Sequence, residues 1–244
     1  MRTDFVVLLG ILGIALLSMP FYAMSLGRRG PDPHEIEDRG SFVLGSFVRS
    51  WFYWFVRPVE RVLLVLHVGP TLLNLSGVAF GVAAGALFAV GRVNLAGWAI
   101  LLGGVADILD GRVARALGLA NRRGAFLDST LDRFAEVGAF AGLAVLLKGH
   151  TVPLLLLMTA LGGSLLVSYA RARGESVGVV CKGGVMQRAE RLLLLGFGAI
   201  LDPAVAEWTG RANGALLVVI LALIAVGTVG TAIYRTVWIA QRLS

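Results

Sequence analysis

The chain has 244 residues, 57% of them hydrophobic and 15% charged, with 32 glycines and a mean hydropathy of +0.81. Soluble domains run near a quarter charged, so a soluble globular protein is excluded. Lys and Arg number 22 against 15 Asp and Glu, a net charge of +7 that cytosolic loops and anionic lipid account for without nucleic acid as a partner. The one cysteine, Cys181, permits no internal disulfide, and no zinc-ligand spacing occurs.

Seven stretches, 5–24, 43–66, 71–91, 93–117, 125–147, 151–169 and 212–234, with a shorter one at 186–201, have the length or pattern of membrane or membrane-surface helices. The first has only Arg2 before a long apolar core and Arg28 and Arg29 after it, which fits a retained anchor better than a cleaved signal. Residues 28–45 mix charge with Gly and Pro and read as a linker. Around 46–66, Trp51, Phe52, Tyr53, Trp54 and Phe55 alternate with Arg49, Arg57 and Arg61, a mixture suited to lipid headgroups, so an interfacial helix is expected. From Pro70 onward six spans follow, and the domain plan is 1–27 anchor, 28–45 linker and 46–244 a domain of the interfacial helix and the six spans. Along the first bundle helix Gly77, Gly81 and Gly85 form a flat face for packing within the protomer or in a homodimer.

With residue 67 inside, eighteen Lys and Arg fall on the inner side and four, Arg2, Arg92, Lys148 and Arg211, outside, which orients the bundle. Residues 93–106 are uncharged, about 21 Å of helix against a ~30 Å hydrocarbon core. Asp107 and Asp110 therefore enter the inner third of the span. Asp128, Asp132, Arg133 and Glu136 precede an uncharged run in the next span, and Arg188, Glu190 and Arg191 another. Three helices thus hold ionisable groups at one depth, where they line water, pair or bind ions. The expected fold is an all-α integral membrane protein, a six-transmembrane-helix bundle with a polar cavity facing the cytosol, preceded by the interfacial helix and the amino-terminal anchor.

Asp107 and Asp110 stand at i, i+3 and Asp128 and Asp132 at i, i+4, each pair on one helix face, with Gly118, Asn121 and Gly124 available to turn a hairpin between them. Clustered carboxylates are hard ligands suited to Mg²⁺ or Mn²⁺, and four of them can accommodate two such ions. The competing reading is an ion-paired cluster with Arg112, Arg115, Arg122 and Arg123. Metal beside Arg115 suits a diphosphate, with Gly111 and Gly124 leaving its oxygens room.

Residues 107–132 match D-x2-D-G-x2-A-R-x8-G-x3-D-x3-D at Asp107, Asp110, Gly111, Ala114, Arg115, Gly124, Asp128 and Asp132. This resembles the signature of the CDP-alcohol phosphotransferase family, and the resemblance extends over about residues 45–240. It implies a phospholipid-synthesising transferase of prokaryotic-type inner membranes, in which a hydroxyl attacks the phosphatidyl phosphorus of CDP-diacylglycerol and releases CMP. By the resemblance Asp107, Asp110, Asp128 and Asp132 lie at the metals, and Asp132 is the general base. Thr71, Leu72, Leu73, Asn74 and Asn121 are expected against the nucleotide, with Gly111, Arg115 and Gly124 against the diphosphate.

The stretch 168–194 resembles phosphatidylinositol-phosphate synthases, although Gln187 and Ala189 depart from the pattern. Ser168, Arg171, Arg188 and Arg235 are accordingly expected to hold the phosphate of the acceptor, inositol phosphate first and glycerol 3-phosphate second. Intramembrane acids also mark ion pathways, so a divalent-cation transporter is the reading from another class.

Overall fold

The computed structural model describes residues 3–26, 45–210 and 214–243, and within them the regular structure is helical. The helices are α1 (Thr3–Leu26), α2 (Gly45–Val65), α3 (Pro70–Ala89), α4 (Val93–Ala116), α5 (Arg122–Leu146), α6 (Thr151–Ser176), α7 (Arg188–Thr209) and α8 (Ala215–Ala240). Nearly all of the 28–45 linker, with Arg28, Arg29 and Arg39, lies outside the described residues, as do Arg2 and Arg211. Six helices, α1, α3, α4, α6, α7 and α8, are long and apolar enough to cross a membrane. α5 falls short by composition because Arg122, Arg123, Asp128, Asp132, Arg133 and Glu136 crowd its first half.

Local chemistry sets the helix ends. Pro70 occupies the first turn of α3, where its missing N–H costs nothing. Asn121 caps α5 by accepting from Gly124 N at 2.8 Å. Gln187 and Glu190 form a reciprocal capping box on α7, which ends at Gly210 with φ 66°. Two helices run further than the hydropathy pattern predicts. α6 continues past 169 because Ala and Arg are good helix formers and Arg171 pairs with Glu175 one turn on, at 2.9 Å. α7 passes 201 because its acid turns inward. Asp202, fully buried, accepts from Gly214 N at 2.6 Å, Leu216 N at 3.0 Å and Leu217 N at 3.3 Å, capping α8 from the neighbouring helix. Asp202→Ala strands these amides in the interior and is expected to cost about 3 kcal/mol. Thermal unfolding of detergent-purified protein checks this, with a melting temperature several degrees below wild type as the expected result.

The bundle is two trios. α3 packs on both α4 and α5, α8 packs on both α6 and α7, and the trios join chiefly along α4 and α7. Glycines make the seams close. A Cβ on Gly81 would lie 2.6 Å from that of Ala135, one on Gly85 would overlap the Gly138 carbonyl, and one on Gly97 would lie 2.6 Å from Gly196 O. The Gly77, Gly81 and Gly85 face is therefore spent inside the protomer, on α4 and α5. The apolar core threads both trios through Phe88, Leu143, Leu157, Leu217, Leu221 and Ile224, all fully buried. Outside it, α2 lies across α4, and α1 rests on α2, where Trp51 Nε1 donates to Ser18 Oγ at 2.9 Å and Tyr22 packs against Trp54.

Candidate active site

Two helices deliver the acids. The tight contact of α3 with α4 and α5 sets the end of α4 beside the beginning of α5, and Asp107, Asp110 and Asp128 each offer an oxygen within 4.8 Å of the others. Three carboxylates this close repel one another unless a cation stands among them. Asn74, from the first turns of α3, donates from Nδ2 to Asp128 Oδ1 at 3.2 Å, while its own Oδ1 is buried and has no hydrogen-bond partner. Three carboxylates are an all-oxygen donor set, which fits one hard divalent cation.

Asp132 is not one of the trio but lies against it, its carboxyl beside that of Asp107. One turn further along α5, it accepts from Arg188 Nη2 at 2.7 Å and sits 3.4 Å from Arg133 Nη1. The other arm of Arg188 is paired with Asp107. A single guanidinium from α7 thus spans the two acid-bearing helices, and the acids are countered by it and by Arg133 rather than by Arg112, Arg122 or Arg123. Beneath them a cavity enters the bundle, lined at its polar end by Asp132, Glu136, Arg188 and Arg191 and deeper by Gly103, Gly104 and Leu195.

The residues expected against the nucleotide and diphosphate are spread over three helix ends. Asn74 has joined the acids. Leu73 is buried against Leu109 and Val113, whereas Leu72 and Thr71 are exposed. Asn121 uses its side chain locally, as the α5 cap and in donating to Leu119 O at 2.9 Å, and leaves the Gly124 turn exposed. Arg115 has a buried Nε with no hydrogen-bond partner, and its Nη1 lies 3.4 Å from where a Gly111 Cβ would stand. The space that Gly111 leaves is taken by the Arg115 guanidinium itself.

The acceptor set does not form one cluster. Arg188 is held by the acids, as above. Arg235, buried on α8, donates from Nε to Gly183 O at 2.8 Å and from Nη1 to Val167 O at 2.9 Å, fastening the 177–187 loop to the body of α6. Thr231 supports the same loop by accepting from Met186 N at 3.1 Å. Arg171 is exposed and paired with Glu175, and Ser168 Oγ donates to Ser164 O at 3.2 Å. Two buried ion pairs went unread in the sequence, Arg191 with Glu136 at 2.8 and 3.1 Å and Arg112 with Glu60 at 2.7 Å. Their charges stood in plain view, but each pairing joins residues more than fifty positions apart.

A helical membrane bundle with a carboxylate metal site at one end, at the positions of the D-x2-D-G signature, defines a metal-dependent phosphotransferase. The chain belongs to the CDP-alcohol phosphatidyltransferase family, whose model matches residues 67–243. It is 35% identical to a phosphatidylinositol phosphate synthase of Streptomyces avermitilis over 83% of this chain and 84% of that one. It is 34% identical to an archaetidylinositol phosphate synthase of Methanothermobacter thermautotrophicus over 70% and 83% respectively. Among solved structures it is similar to the phosphatidylinositol phosphate synthase of Mycobacterium tuberculosis, at 31% identity. The form with CDP-DAG bound gives a TM-score of 0.64 and covers 74% of this chain and 92% of that one; the complex with manganese and citrate gives 0.65, with 74% and 88% covered. The protein is a membrane-embedded transferase, and the transporter reading is set aside.

Proposed function

We propose that the protein transfers the phosphatidyl group of CDP-diacylglycerol to a hydroxyl of inositol phosphate, releasing CMP. The observation that carries this is the convergence of Asp107, Asp110 and Asp128 on one point, with Asp132 beside them and joined to Asp107 through Arg188. Asp107, Asp110 and Asp128 would hold the metal, with Asp132 near enough to serve a second ion. When bound, the metal polarises the phosphoryl group and stabilises charge on the departing CMP. Arg115, Gly111 and Gly124 are assigned to the donor's diphosphate. Asn74, Asn121 and the 71–73 turn border the nucleotide. Asp132 takes the proton as the acceptor oxygen bonds to the phosphatidyl phosphorus and the bond from that phosphorus to the CMP oxygen breaks.

Ser168, Arg171, Arg188 and Arg235 are assigned to the phosphate of the acceptor, Arg171 being the exposed guanidinium among them. The relatives named above support inositol phosphate over glycerol 3-phosphate. Purified protein with CDP-diacylglycerol and Mg²⁺ or Mn²⁺, offered inositol phosphate, glycerol 3-phosphate, inositol or serine, is expected to release CMP with the first alone. Turnover with glycerol 3-phosphate and none with inositol phosphate would keep the reaction and overturn the acceptor. Arg171→Ala is expected to raise the KM for inositol phosphate about ten-fold and leave that for CDP-diacylglycerol unchanged. Equal effects on both substrates would make it a topological anchor.

The eighteen-to-four distribution of basic residues supports a cytosolic site, with α1 as anchor and α2 along the headgroups. Single cysteines replacing Arg122 or Lys182 are expected to react with an impermeant maleimide only from the cytosolic side, and one replacing Lys148 only from outside. The reverse pattern would turn the site outward.

A further inference from the structure

The inner end of α4 has two faces. At about 100° per residue, Asp107, Asp110 and Gly111 share the face toward the acid cluster, while Leu109, Arg112 and Val113 lie behind them. α2 covers that rear face. Val56 is buried with Leu73, Leu109 and Val113, and Phe52, Phe55 and Leu63 pack around them. Tyr53, Val56 and Glu60, spaced three and four apart, form one stripe of α2. Glu60 Oε2 accepts from both Nε and Nη2 of Arg112 at 2.7 Å, and the guanidinium lies 5.1 Å from the centre of the Tyr53 ring. Glu60 is 9% exposed and Arg112 5%. The mechanism above uses neither charge, and Glu60 precedes residue 67, where the family match begins.

A buried ion pair adds little net stability, because desolvation offsets the attraction, yet it specifies register. Apolar contacts tolerate sliding of one helix along another; a paired charge has one satisfied position. We propose that Glu60, through Arg112, is a positioning residue of the active site, fixing α2 on the rear face of α4 and so setting the rotation of the helix that presents Asp107, Asp110, Gly111 and Arg115. Arg112 immediately follows Gly111 in the signature, so a turn of α4 that relaxed this pair would swing the acids away from Asp128. α2 is then part of the catalytic unit as well as a membrane contact.

The inference uses the phosphatidyl-transfer reading for its activity readout only. Four proteins are compared in detergent: wild type, Glu60→Gln, Arg112→Lys and the doubly neutral Glu60→Gln/Arg112→Met. Thermal unfolding, kcat for CMP release, and Mn²⁺ affinity by electron paramagnetic resonance without substrate are measured on each. The single variants are expected to unfold at lower temperature, since each leaves a buried group badly paired. The double variant removes the unpaired charge and is expected to melt within about 2 °C of wild type. Its kcat nevertheless stays about ten-fold low and its Mn²⁺ binding about ten-fold weak, because the register is no longer specified. Recovery of kcat and Mn²⁺ affinity together with the melting temperature would reduce the pair to a structural contact and overturn the proposal, as would single variants with unchanged Mn²⁺ affinity. Absence of CMP release from wild type would instead overturn the transfer reading, and the Mn²⁺ comparison would still decide the role of Glu60.

Discussion

Asp132→Asn is expected to lower turnover by about 10²–10⁴-fold while Mn²⁺ binding stays near wild type. The amide keeps the shape of the carboxylate and an oxygen for Arg188 Nη2, so the 2.7 Å contact survives in form. What is lost is the basic oxygen that takes the acceptor's proton. Asp132 lies outside the three acids whose oxygens meet within 4.8 Å, so the ion those three would hold keeps its ligands. Asp110→Asn gives the opposite pattern. It removes one of the three converging ligands, so Mn²⁺ binding weakens and added metal restores part of the residual rate. Single-turnover CMP release beside a substrate-free Mn²⁺ titration separates the two. Near-normal turnover of Asp132→Asn would move the base elsewhere, and a rate loss in Asp110→Asn that metal does not touch would undo the division.

Gly142→Ala is expected to be as damaging as the loss of a catalytic group, although it adds one methyl far from the acids. A Cβ there would occupy the space of the Gly85 carbonyl, so the obstacle is backbone on α3 that no rotamer change can move. α3 and α5 must separate, at a cost of about 3 kcal/mol or more. Because α5 carries Asp128 and Asp132, their spacing from Asp107 opens with it. Gly162→Ala is the control, since nothing lies within 4 Å of the added atom. Fluorescence-detected size exclusion after heating is expected to show early loss of the monodisperse peak for Gly142→Ala alone. Equal melting of the two variants would mean that the seam is looser than the structure has it.

Both variants act on features of different legibility in the sequence. The acids were readable because charges are expensive in hydrocarbon, so Asp107, Asp110, Asp128 and Asp132 declare a polar site wherever they fall. The glycine face was readable as a contact, but whether its partner was α5 or a second protomer depends on geometry that spacing does not contain. Hydropathy placed the helices yet shortened α6 and α7, because Arg171 and Asp202 resemble ends until their partners Glu175 and the α8 amides are known. Asn74 was read as a nucleotide contact; its place beside Asp128 follows only from how α3 meets α5. The arginines show the same limit. Composition distinguishes an anchor from a ligand poorly, and it took the fold to give Arg188 to the acids, Arg235 to a loop and Arg112 to Glu60.

The division of the bundle into two trios has a bearing on how the chain is made. The acids Asp107, Asp132 and Glu136 belong to the first three bundle helices, and the guanidiniums that neutralise them, Arg188 and Arg191, arrive with the fifth. A nascent chain that has emerged only as far as α5 therefore holds these acids with Arg133 as their near cation, and without Arg188 and Arg191, until α7 is threaded in. Opposite charge, in a medium that punishes its absence, recruits the second half to the first.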